Sequence, residues 1–206
     1  MQELIDALKA LYPDPQCTLT YNHDYELLFN TRLAAQCTDK RVNLVAAPLY
    51  SRYPTLQAIA EADVGDMEEM VRPCGFYRHK ARDLVLGAQK ILSDYGGKVP
   101  DTMEALLSIP GIGRKTANLI LGELFGKPAV VADTHCIRLS NRLGLCDTKD
   151  PAKVEKTLQK IIPPEEQLAF CHRLVEHGRK VCTARAPRCG ECTVRGLCAY
   201  GGNDHA

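Results

Sequence analysis

Cys182, Cys189, Cys192 and Cys198 follow one another in the pattern C-x6-C-x2-C-x5-C, within seventeen residues. The stretches between them, Thr183-Ala184-Arg185-Ala186-Pro187-Arg188 and Gly190-Glu191, have no hydrophobic period, so the segment cannot order itself by burying apolar surface. Four thiolates around an inorganic centre would order it. Zinc and an iron-sulfur cluster both accept that ligand set. Structural zinc sites favour two close cysteine pairs, and here only Cys189 and Cys192 form one, yet ligand identity alone leaves zinc and the cluster on equal terms. A disulfide framework is the weaker reading: no apolar secretory segment stands at the N-terminus, and the remaining cysteines of the ten are scattered singly.

A second segment with chemical potential is Leu106-Leu107-Ser108-Ile109-Pro110-Gly111-Ile112-Gly113-Arg114-Lys115-Thr116-Ala117. Pro110 stops one helix, Gly111 and Gly113 permit positive φ angles, and Ile112 between them would plug the space between two helices. The amides of Gly111 to Gly113, aimed by the positive end of the next helix, make an anion site that Arg114 and Lys115 bias toward phosphate. Backbone amides hold phosphate without reading bases. Lys115 falls in the first turn of that helix, where the dipole opposes an ammonium. This is a poor structural placement and a useful one for a nucleophile that forms a Schiff base. The motif alone leaves that role level with a plain phosphate contact. Asp133 tips the balance. It follows the apolar run Ala129-Val130-Val131-Ala132 and reads as an N-cap, and an ionised capping carboxylate can also stabilise positive charge developing on a sugar ring. His135 reads more readily as a buried hydrogen-bonding group than as part of a site.

The elements that must carry these residues are helices. Apolar spacing predicts helices over 2–12 with Leu4, Ile5, Leu8 and Leu11 inward, from an Asp24 cap through Ala34, and from Thr38 or Asp39 with Val42, Val45, Ala46 and Leu49 inward. Others are predicted over 55–62, 66–71, 80–94 and 102–108, the last capped by Asp101. Helices follow over 114–125 with Gly126 as left-handed cap, over 133–143 ending at Gly144, from Pro151, and over 165–181. No alternating strand stands out, so the expected fold is all-α, without a membrane span or a repeat. Residues 201–206 are expected to fray.

At 206 residues and 45% hydrophobic content the chain can bury one large core or two small ones. Its net charge of +1 does not single out a polyanion partner, but residues 171–200 hold six basic residues against two acidic ones. A local basic patch can bind phosphate in a chain that is neutral overall.

Taken together, the hairpin from Leu107 to Ala117, the stretch Ala132-Asp133-Thr134-His135 and the cysteine pattern resemble endonuclease III, the bifunctional DNA glycosylase and abasic-site lyase of the helix-hairpin-helix superfamily. The resemblance spans nearly the whole chain. It implies a [4Fe-4S] cluster on the four cysteines. Lys115 would then be the lysine that attacks C1′ of a damaged nucleotide, expels the base and cuts the strand on the 3′ side by β-elimination, with Asp133 assisting base loss. Leu33-Ala34-Ala35-Gln36-Cys37-Thr38-Asp39 resembles the segment whose glutamine fills the space left by the flipped nucleotide, and Gly75-Phe76-Tyr77 the loop whose apolar residue wedges into the opposite strand. The resemblance would give those roles to Gln36 and Phe76; a buried glutamine bonded to backbone and an aromatic in the core are the other readings. Gly111, Ile112, Gly113, Arg114, His135, Arg185 and Arg188 complete the expected DNA contacts.

The same resemblance implies two lobes, a helical domain over 18–130 carrying the hairpin and a cluster domain of 1–17 with 131–206. Double-stranded DNA with a flipped-out damaged base or an abasic site would lie between them, and the enzyme would be a cytoplasmic, nucleoid-associated monomer. Oxidised and ring-damaged pyrimidines are the expected lesions. The alternatives are a glycosylase for uracil, mismatched thymine or oxidised guanine, or a non-catalytic zinc-containing DNA-binding module. Three positions depart from the family pattern: Cys37 and Cys136 replace small or branched apolar residues, and Phe76 stands where leucine is common.

Overall fold

The computed structural model describes residues 1–202 and shows twelve α-helices joined by short 3₁₀ turns, with no strand among the described residues. In chain order they are α1 Gln2–Leu11, α2 Asp24–Leu33, α3 Asp39–Arg52, α4 Leu56–Ala60, α5 Val64–Val71, α6 Tyr77–Tyr95, α7 Met103–Leu107, α8 Arg114–Phe125, α9 Thr134–Leu143, α10 Pro151–Ile161, α11 Gln167–Lys180 and α12 Ala199–Gly202. They form two compact units, residues 17–125 and residues 1–16 with 126–206. Among the described residues no helix is long and apolar enough to cross a membrane.

The core of the 17–125 unit is built from the apolar faces of α2, α3, α5, α6 and α8. Leu27, Leu28, Phe29, Leu33, Val42, Leu49, Met67, Leu84, Ile91 and Ile120 are essentially inaccessible to water there. Each such side chain contributes about 1.5–3 kcal/mol of burial energy. Thr38 caps α3 by accepting the Arg41 amide at 3.3 Å, Thr55 caps α4 through the Ala58 amide and Asp63 caps α5 through the Asp66 amide. These caps settle where the helices begin, because each satisfies an amide that has no partner inside its own helix.

In the other unit α9 packs against α10, α11 and α12, and α1 packs against α11. Arg173, almost fully buried, donates to the Tyr12 carbonyl at 3.2 Å and to Glu166 at 2.9 Å, and Glu166 also takes Lys9 at 2.7 Å. Those bonds tie the first helix of the chain to its last long one. Asp133 and Asp150 cap α9 and α10.

Several sequence expectations change in detail. Asp24 is the first helical residue and not the cap, which is His23 without a side-chain bond. Thr102, not Asp101, caps α7. Leu11 is 37% exposed because α1 ends there, one residue short of the predicted Tyr12. Helix α6 starts at Tyr77, three residues early. The predicted 165–181 helix begins at Gln167, after the 3₁₀ turn Pro164–Glu166. Gly201 and Gly202, expected to fray, belong to α12, and Arg195 Nε donates to the Gly201 carbonyl at 3.0 Å. The rest of that expectation falls on 203–206, outside the described residues.

Candidate active site

The hairpin joins α7 to α8 within the 17–125 unit. Ile109 and Ile112 are buried in its core, which holds the turn against the helices. Only Gly111 of the two glycines needs positive φ, at +76°. A second constraint acts on it: a Cβ there would lie 2.5 Å from Asp83 Oδ2 and 2.6 Å from Arg32 Nε, two groups that form a half-buried ion pair at 2.7 Å. The run of exposed amides is shorter than the sequence suggests, since the Ile112 amide donates to the Ile109 carbonyl at 3.1 Å. Gly113, Arg114 and Lys115 are exposed, and Lys115 stands in the first turn of α8.

Gln36 and Phe76 lie in the same unit, in two turns well separated in sequence. Among the described residues they are the non-glycine positions with positive φ, +54° and +47°. Left-handed backbone in a bulky residue costs about 1–3 kcal/mol and persists only where the surroundings enforce it. Both are exposed, Phe76 by 63%. The structure therefore excludes a core role for either. Between the two turns sits Lys80, fully buried. Its Nζ donates to the carbonyls of Leu33 at 2.9 Å, Ala35 at 2.8 Å and Cys74 at 2.8 Å. Burial pushes the neighbouring Cys74 thiol up to about 11, and the adjacent Cys37 thiol adds to the shift.

In the other unit Asp133 is half-buried at the start of α9 and accepts the Cys136 amide at 2.7 Å. His135 is half-buried and its Nδ1 meets Arg138 Nη2 at 3.2 Å. Contact with the Cys171 thiol, and then burial, pushes the Cys136 thiol well above its ordinary value. A thiol so protonated is a weak nucleophile, which makes Cys136 a packing residue.

The four late cysteines line one pocket of this unit together with His177, Arg142 and Leu8. Burial pushes the Cys192 thiol up, and the sulfurs of Cys182, Cys198 and Cys189 push it the same way. Four thiolates gathered so closely are stable only around a positive centre, so the donor set fits a metal cluster. Among the described residues no three His, Cys, Asp or Glu side chains close on a single ion position. Arg142, from α9, holds the loop: Nη1 donates to Cys182 Sγ at 3.2 Å and to the Thr183 carbonyl at 2.7 Å, and Nη2 to the Ala184 carbonyl at 3.0 Å. Arg185 is exposed, whereas Arg188 is engaged by Glu191 at 3.3 Å and by the Lys180 carbonyl.

Residues 30–164 match the model of the HhH-GPD superfamily of base excision DNA repair proteins, and residues 182–198 match the iron-sulfur binding domain of endonuclease III. The chain is 45% identical to the endonuclease III of a Synechocystis species over 95% of its own length and 90% of the other's. The chain belongs to the endonuclease III family. The Escherichia coli K12 endonuclease III is 37% identical to it over 96% and 94% of the two chains. A solved structure described as a trapped endonuclease III-DNA covalent intermediate, an estranged-adenine complex, superposes with a TM-score of 0.92 at 39% identity, covering 98% of this chain and 95% of that one. As a member of that family it is a base excision repair glycosylase with abasic-site lyase activity, and it carries a [4Fe-4S] cluster.

Sequence reasoning missed two residues that hold these segments, one in each unit. Arg142 sits 40 positions before the cysteine it supports, so no local signal marks it. Lys80 did leave one: a lysine in the first turn of a helix opposes the dipole and needs a reason to be there.

Proposed function

We propose that the protein removes oxidised and ring-damaged pyrimidines from double-stranded DNA and cleaves the strand 3′ to the resulting abasic site through a Schiff base on Lys115. The observation that carries this reading is Lys115 itself, an exposed lysine in the first turn of a helix entered by a glycine hairpin. A relative trapped as a covalent intermediate with DNA supports it, since such a link requires a nucleophile.

In the proposed reaction the unprotonated Lys115 amine bonds to C1′ as the bond from C1′ to the base breaks, and the base leaves with the electron pair and takes up a proton. The Asp133 carboxylate stabilises the positive charge that develops on the sugar. Ring opening leaves an imine between Lys115 and C1′, which acidifies the C2′ proton. Removal of that proton expels the 3′ phosphate, and hydrolysis of the imine frees the lysine.

The hairpin residues Gly111, Ile112, Gly113 and Arg114 hold the backbone phosphates, while Gln36 and Phe76 enter the duplex when the damaged nucleotide leaves the stack, at a cost of about a few kcal/mol. Cys182, Cys189, Cys192 and Cys198 are the ligands of the [4Fe-4S] cluster, whose metal-thiolate bonds hold the 182–198 loop in shape. Arg185 contributes a phosphate contact from that loop, His135 a further contact beside Asp133, and Arg188 acts mainly as a loop brace through Glu191. The helical domain is the 17–125 unit and the cluster domain the remainder, and the enzyme works as a monomer on cytoplasmic, nucleoid-associated DNA.

Borohydride reduction during turnover tests the mechanism. With a damaged-pyrimidine or abasic duplex, the wild type should give a covalent protein-DNA adduct and Lys115→Gln none. DNA binding by the wild type without any adduct, on every such substrate, would overturn the Schiff-base reading.

A further inference from the structure

Lys80 has no part in the chemistry at C1′, yet it is among the most unusual residues of the fold: a fully buried lysine that meets no carboxylate in its hydrogen bonds. Three N–H groups meet three carbonyls, and only the ammonium carries three donors. Burial pushes its pKa down from the ordinary lysine value, which makes a purely apolar residue the cheaper filling for this site. What the ammonium does is visible in where the carbonyls belong. Those of Leu33 and Ala35 lie at the C-terminal end of α2, immediately before Gln36, and that of Cys74 ends the 3₁₀ turn Arg72–Cys74, two residues before Phe76. A cation at a helix C-terminus satisfies orphan carbonyls and the negative end of the dipole together. The Lys80 backbone amide, meanwhile, donates to the Phe76 carbonyl at 3.2 Å. One residue thus touches the backbone of both left-handed turns.

We infer that Lys80 is a positioning residue that couples the Gln36 turn to the Phe76 turn, so that the two side chains enter the duplex as one rigid unit. This rests on the reading that Gln36 and Phe76 fill the vacated stack. The coupling explains why two strained turns persist on an exposed face: their ends share one buried ammonium instead of relying on local sequence. It also explains why a cation is kept in the first turn of α6 against its dipole.

The test compares Lys80→Met, Lys80→Gln, the Gln36→Ala/Phe76→Ala pair and the combination of pair and Lys80→Met. The substrates are a duplex with a damaged pyrimidine opposite 2-aminopurine and a single-stranded oligonucleotide with a preformed abasic site. If Lys80 positions the two side chains, Lys80→Met lowers single-turnover base release from duplex by about 10²-fold, as a misplacement of order 1 Å does. It should also lose the 2-aminopurine fluorescence change, leave adduct formation on the single strand intact, and add no further loss to the Gln36→Ala/Phe76→Ala pair. Lys80→Gln, with two donors, should recover part of the rate. A folded Lys80→Met with wild-type duplex rate and fluorescence, beside an impaired pair, overturns the role of Lys80 and spares the reading of Gln36 and Phe76. A pair with wild-type behaviour overturns both. If neither Lys80 variant folds, amide exchange of the wild type decides. The Cys37 and Gly75 amides, bonded to the Ala34 and Arg72 carbonyls, should open with one common free energy. Independent opening of the two turns rejects the coupling.

Discussion

Gly111 shows how much a single position can be asked to do. Its φ of +76° already disfavours any side chain, and the Arg32–Asp83 ion pair occupies the space a Cβ needs. Gly111→Ala should cost about 1–3 kcal/mol for the backbone alone, more once the ion pair is displaced, and lower the melting temperature by about 2–4 °C per kcal/mol. Thermal unfolding followed by circular dichroism measures it; a fall no larger than the backbone share would mean that the ion pair yields freely, and an unchanged melting temperature would overturn both constraints. Gly113 has no positive φ, and a Cβ added there would meet nothing within 4 Å, so it carries neither constraint. Sequence alone cannot rank the two glycines, because the difference lies in Asp83 and Arg32, which are distant in the chain.

At the scale of elements, helix α9 begins on Asp133, which accepts the Cys136 amide and is also the proposed carboxylate of the reaction. The two roles separate by substitution. Asparagine caps about as well as aspartate, so Asp133→Asn should change unfolding free energy by less than about 0.5 kcal/mol, whereas Asp133→Ala should cost about 1 kcal/mol. Both should slow base release by about 10²–10³-fold in single-turnover assays, since both remove the charge. A fully active Asp133→Asn would reduce Asp133 to a cap. Most helices were readable from apolar period and caps, as α3, α8 and α9 illustrate. The start of α6 was not: Phe76 adopts the left-handed conformation just before it, and nothing in the residue type of a phenylalanine announces that.

At the scale of the molecule, the two units have different sources of order. The 17–125 unit has a continuous apolar core, while the 182–198 loop is held by Arg142 and, on the proposed ligation, by its four cysteines. Oxidative destruction of the cluster followed by chelation of iron should therefore strip amide protection from 182–198 and leave that of α6 and α8 largely intact, as read by hydrogen exchange. Equal loss in both units would show that the cluster supports the whole fold. Sequence by itself determined the helical class and the hairpin, and it marked the four cysteines, Lys115 and Asp133 as candidates, because each is encoded in residues close together in the chain, where period, turn chemistry and spacing act. Tertiary structure alone decided which glycine of the hairpin is constrained, that Arg142 braces the cysteine loop, and that Lys80 joins two left-handed turns. Those depend on buried polar groups finding partners far away in the chain, and a linear pattern carries no record of which partner a buried donor will meet.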